Sequence, residues 1–150
     1  PIRPEQLPGH NITMLDPTTA KKLRAFERAL AELRSVGHLA PAGLAADWQL
    51  QRAVERDVLI LVDVVVELTQ RVAGGAGKAR LPSSADAISR CVRLGALSAE
   101  VNYVTLVRLA SFPAYRYEAI EGEMLATIVN EQLGDFGRFH DEMAAYLGGQ

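Results

Sequence analysis

Apolar residues recur at helical spacing through most of the chain. Leu23, Phe26, Leu30 and Leu33 fall on one face of a first helix. Asp16 stands where an N-cap belongs, Pro17 suits the first helical position, and Gly37 is a natural stop. The next run is richer in Val, Ile and Leu, and residues 58–66 alone could be a buried strand. Leu50, Val54, Leu61, Leu68 and Val72 keep helical spacing around that run, so a long second helix is predicted over about 44–72, apolar on most sides and therefore central. Trp48 reads as an anchor of the core, with a dimer surface as the alternative.

Pro82-Ser83-Ser84 starts a short third helix with Ile88, Cys91, Val92 and Leu94 inward, and Gly95 stops it. Ser98 is the expected cap of a fourth, carrying Val101, Val104, Leu106 and Leu109 and ending near Phe112-Pro113. A fifth is predicted over about 120–147, with Leu125, Ile128, Phe136, Phe139, Met143 and Tyr146 as its stripe and Gly134 and Gly137 weakening it. No stretch has the turn-rich period of two that a sheet requires, and no repeat is visible. The expectation is an all-α bundle of about five helices forming one domain over 16–150, preceded by a flexible Pro-rich arm over 1–15.

At 150 residues, with 49% hydrophobic and 23% charged residues, the chain has material for one sizeable core. Its net charge of −2 announces no nucleic-acid surface, although a local basic cluster fits within a neutral total. Cys91 is the single cysteine, which excludes an internal disulfide and a cysteine-rich zinc site. No apolar run approaches the roughly 20 residues of a membrane span, and a cytoplasmic location is expected.

Several patterns are candidates for chemistry. His10, His38 and His140 lack the Glu-x-x-His spacing of a bundle metal site, so no metal or cofactor is expected, and His38 and His140 read as surface or interface residues. The run 73–78 faintly resembles a phosphate-binding loop, but Val72 and Ala79 stand where the motif needs Gly and Ser/Thr; it reads as a connection. Asp57, Asp63 and Glu67 form a polar stripe that faces solvent or meets an arginine; the sharper alternative has Asp57 or Asp63 orienting an active-site base. The richest segment is 108–120, which joins two helices and concentrates Arg108, Tyr115, Arg116 and Tyr117. Guanidinium and phenol groups at a helix junction suit phosphates and bases, and an ordinary kinked connection suits the same residues.

The order of these features resembles the HepT-like branch of the HEPN superfamily over roughly 49–147. The residues that carry the resemblance are Gln51-Arg52-Ala53-Val54-Glu55-Arg56-Asp57, then Pro82-Ser83-Ser84-Ala85-Asp86-Ala87, then Leu94-Gly95-Ala96-Leu97. Leu109-Ala110-Ser111-Phe112 and Tyr117-Glu118-Ala119-Ile120 follow, ahead of a long last helix. The resemblance implies a homodimeric helical bundle, the toxin of a type VII-like toxin–antitoxin pair whose antitoxin is a minimal nucleotidyltransferase. It implies metal-independent RNA endonuclease activity, with an Arg and a His of each protomer meeting in the dimer cleft. Arg108 takes the place of that Arg, and Tyr115 stands where the family has His, so the motif is degenerate here. Tyr117 matches the Tyr that the antitoxin can adenylylate, and Arg116 is placed to hold RNA. The alternative is a HEPN module without catalysis that binds a nucleotidyltransferase partner.

Overall fold

Two antiparallel helices, α1 (Pro17–Val36) and α3 (Trp48–Gly74), lie against each other along much of their length in the computed structural model, which describes residues 16–75, 80–111 and 120–149. Asp16 caps α1 by accepting from the Thr19 backbone N–H at 2.7 Å. Arg71, near the end of α3, donates to Asp16 Oδ2 at 2.9 Å and to Thr19 Oγ1 at 2.7 Å, so the start of one helix is tied to the finish of the other. The chain between them makes a separate one-and-a-half-turn helix, α2 (Pro41–Ala46).

A short α4 (Ser84–Arg93) packs on α3, capped by Ser83, whose Oγ accepts from Asp86 N at 3.1 Å. Its end is a Schellman turn: Gly95 at φ +82° lets its own N–H reach Val92 O and the Ala96 N–H reach Cys91 O. One helical turn, α5 (Tyr103–Leu106), and a 3₁₀ turn (Arg108–Ser111) follow. The last helix is continuous but changes pitch: α6 (Gly122–Thr127), a π-helical turn (Ile128–Gln132), then α7 (Leu133–Gly149). Phe26 of α1 meets Phe136 and Phe139 of α7, and Tyr103 meets Phe139 edge-on, making an aromatic centre. The described residues are all helix, turn and loop, so the all-α bundle is as expected.

Two amide side chains hold connecting segments to helices by pairing with backbone on both sides. Asn130 accepts from Leu39 N and donates to Leu39 O, both at 2.8 Å. Gln70 accepts from Leu81 N at 2.9 Å and donates to Leu81 O at 3.2 Å. Each pair satisfies loop backbone that would otherwise lose water on burial.

Four expectations are corrected. The predicted helix over 44–72 is two helices, because Asp47 turns extended and caps α3, its side chain accepting from Leu50 N. Trp48, expected in the core, is 70% exposed: it is the first residue after that cap, and its ridge of α3 faces water. Leu94 and Val104, expected inward, are exposed, because the chain reverses at Gly95 so that Ala96 is buried, and because Tyr103 and Leu106 take the inner side of the single turn of α5. Ser98 does not start the fourth helix, whose N-cap is Asn102. The arm over 1–15, residues 76–78 of the 73–78 connection and the helix end expected at Phe112-Pro113 lie outside the described residues.

Candidate functional site

Arg108 is the one residue of the four-residue candidate set that is described. Its neighbours Val107 and Leu109 are buried, as is Leu106, and this fixes the 3₁₀ turn so that Arg108 faces outward. It stands at the lip of a groove of about 270 Å³ that is floored by Leu106, Leu109 and Ile128 and walled by Glu121, Glu123 and Gln132. Tyr115, Arg116 and Tyr117 belong to 112–119, outside the described residues.

The turn that carries Arg108 is anchored through Tyr103. Tyr103 is buried and donates its hydroxyl to Glu142 Oε1 at 2.8 Å, and the same oxygen accepts from Ser98 N at 2.7 Å. Arg138 closes the network from α7, reaching Glu142 Oε2 and Glu100 Oε2, both at 2.9 Å. Burial and the hydrogen bond to Glu142 push the Tyr103 phenol far above its ordinary range, so it acts as a fixed donor. Sequence reasoning passed over Glu142, whose position four residues after Arg138 on the final helix was the available signal.

A second concavity, of about 740 Å³, runs between α1 and α3. Arg24, Arg28 and Glu32 of α1 line it together with Arg56, Asp57 and Ile60 of α3, over a floor of Ala29, Leu33 and Val54. Asp57, one of the stripe residues, is half-buried beside Glu32. Burial first, then the charge of Glu32 and a hydrogen bond with it, push Asp57 up to about 6, against the pull of Arg56 and Arg28. The other stripe residues differ: Glu67 pairs with Lys22 of α1, and Asp63 is half-buried.

The raised Asp57 value fixes the sign of a pH effect. The folded chain holds this proton more tightly than the unfolded one, so the pair gains stability as pH falls through 6 and is a liability at neutral pH. Asp57→Asn is therefore expected to stabilise the fold at pH 7.5 by of order 1 kcal/mol, a figure reduced because the groove is open to water. Below about pH 4 the gain should vanish. Urea denaturation at the two pH values checks this; destabilisation at pH 7.5 would mean that the arginines outweigh Glu32.

His140, read from the sequence as a surface or interface residue, has a side chain only 18% exposed. It stacks on Phe26, with ring centroids 5.9 Å apart, and lies between Glu27 (Nε2 to Oε1, 2.8 Å) and Asp141 at the edge of the bundle. Among the described residues no group of three His, Cys, Asp or Glu could hold a metal ion, and no helix is long and apolar enough to cross a membrane. Cys91 is buried, and burial pushes its thiol up to about 12, so it is an inert packing residue. No family model, curated protein or solved structure matches the chain.

Proposed function

We propose that the chain is a HepT-like HEPN protein, the toxin of a type VII-like toxin–antitoxin pair, acting as a homodimeric RNA endonuclease without metal. The observation that supports this best is the setting of Arg108, an exposed guanidinium on a braced turn at the lip of a groove, directly before the segment that carries Tyr115, Arg116 and Tyr117. In this reading Arg108 stabilises the charge that develops on the scissile phosphate, and Arg116 holds a neighbouring phosphate. Tyr115 supplies the proton-transfer group. A phenol with an ordinary pKa near 10 is a weak base at pH 7, so the rate should keep rising above neutral pH, where an imidazole would level off. Tyr117 is the residue that a nucleotidyltransferase antitoxin would adenylylate.

Cleavage of bulk RNA and tRNA in EDTA tests the proposal. Arg108→Ala should lower the rate about 10²–10³-fold, the reduction typical of removing one transition-state charge interaction. No cleavage by a folded dimer retires the enzyme.

One observation favours the second reading, a non-catalytic module that binds a nucleotidyltransferase. Glu121 and Glu123 share the groove with Arg108 and repel a phosphate there. That reading expects a stable complex with the partner and intact RNA.

A further inference from the structure

Arginines at i and i+4 on one helix share a face, and α3 carries such a row. Trp48, Arg52 and Arg56 follow one another at four-residue intervals along a solvent-facing ridge, spanning about 12 Å at 1.5 Å per residue. All three side chains are exposed, and Trp48 is the largest exposed apolar side chain among the described residues. Arg56 opens into the α1–α3 groove, where Arg24 and Arg28, also exposed and one turn apart, face it from α1.

Four guanidiniums thus form a continuous band on a chain whose net charge is −2. The acidic groups of the band are Glu32 and Asp57, with Glu55 beneath Arg52. Glu55 is buried, and its carboxylate stands 3.9 Å from Arg52. Glu32 reaches Arg28 at 3.6 Å and also shares a hydrogen bond with Asp57, so the two carboxyls together hold less than two full charges near pH 6. Along the band, four guanidiniums stand against the carboxyls of Glu32, Asp57 and Glu55.

The Trp48 end of the row lies close to Ile120, which opens the described chain ahead of the last helix. Gln51, in the first turn of α3, donates its amide to the carbonyl of Ile120 at 3.4 Å, and Ile120 is the first described residue after the segment that bears Tyr115 and Tyr117.

We infer that the α1–α3 face is a track for single-stranded RNA, on which Arg24, Arg28, Arg52 and Arg56 hold successive phosphates and Trp48 stacks a base at the end of the row. This deepens the reading of the chain as an RNA-acting protein and rests on it. A basic groove that ends in an aromatic platform binds single strands without sequence preference, because every base has a stacking face and every nucleotide a phosphate. An apolar partner helix would instead require burying Arg56, and Arg52 with only the 3.9 Å pair to Glu55, against apolar side chains.

Trp48 is the chain's single tryptophan, so its emission reports this position alone. The test uses a fluorescein-labelled 2′-O-methyl oligouridine, which cannot be cut through a 2′-hydroxyl. The labelled strand gives binding by anisotropy, and an unlabelled copy gives stacking by quenching of Trp48 emission. Saturable quenching that tracks anisotropy supports the track. Trp48→Leu, which keeps the apolar bulk, should weaken binding about tenfold. Arg52→Gln with Arg56→Gln should make the slope of log K against log salt shallower by about 1.4, roughly 0.7 for each phosphate that is no longer neutralised. These positions are exposed, and unchanged circular dichroism of the variants confirms folding. Binding without quenching, and with an unchanged salt slope, overturns the track while leaving RNA action at Arg108 intact. No anisotropy change with RNA, but binding of a labelled polyglutamate peptide, overturns it in favour of an acidic protein partner.

Discussion

Phe26→Ala is expected to cost about 4 kcal/mol and to lower the melting temperature by roughly 8–16 °C for a domain of this size. The Phe26 side chain is fully buried, with ring centroids 6.2 Å from Phe136 and 5.9 Å from Phe139, and the His140 ring stacks on its outer side at an interplanar angle of 21°. With Glu27, which reaches His140, Phe26 is a main point at which α1 meets α7. Truncation opens a cavity between α1 and α7, lined by Phe136, Phe139 and His140, that cannot close without moving α1. Phe26→Leu fills most of that space and should cost no more than about 1.5 kcal/mol. Thermal melts followed by circular dichroism give both values. A cost below about 1 kcal/mol for the alanine variant would mean that α1 does not pack on α7 as described.

The next largest effect is expected at Glu142. Glu142→Ala removes the acceptor for the Ser98 N–H and for the buried Tyr103 hydroxyl, and should cost about 3 kcal/mol, because stranded donors weigh more than the bonds themselves. Tyr103→Phe alone should cost about 1 kcal/mol. The double variant should cost less than the sum, since the phenylalanine leaves no hydroxyl to strand. Full additivity would show that the Tyr103–Glu142 bond contributes nothing.

The same carboxylate has a pH signature. Burial raises its pKa, but the Ser98, Tyr103 and Arg138 donors together outweigh burial and hold it below the 4.5 of an ordinary glutamate. Asp16 is held to about 2, by the Thr19 N–H first and Arg71 second. Both groups give stability that is present above pH 4.5 and lost as pH falls through their folded values. Glu142→Ala should therefore flatten the acid limb of the stability curve.

Helix boundaries were legible where one side chain decides them. Asp16, Ser83, Gly37 and Gly95 each end or begin a helix where the sequence indicated, because capping is local chemistry between residues three or four apart. Asp47 is equally local, yet the apolar pattern runs across it, and that pattern hid both the break and the outward turn of Trp48. Of the candidate site, the outward setting of Arg108 could be anticipated from its alternation with buried Val107 and Leu109. The pairing of Asp57 with Glu32 could not. It depends on how α1 docks on α3, and no spacing within either helix encodes that. Glu142 was missed for the same reason, since its partners Ser98 and Tyr103 lie about forty positions away.

The tie between Arg71 and the start of α1 gives the molecule two poles. Asp16, Thr19, Arg71 and Gly75 gather at one; Trp48 and Gln51 lie toward the other, roughly 35 Å away along α3. A handle or an immobilising surface joined directly at Asp16 therefore meets the bundle at the pole remote from Trp48 and leaves the opposite end free to meet ligand.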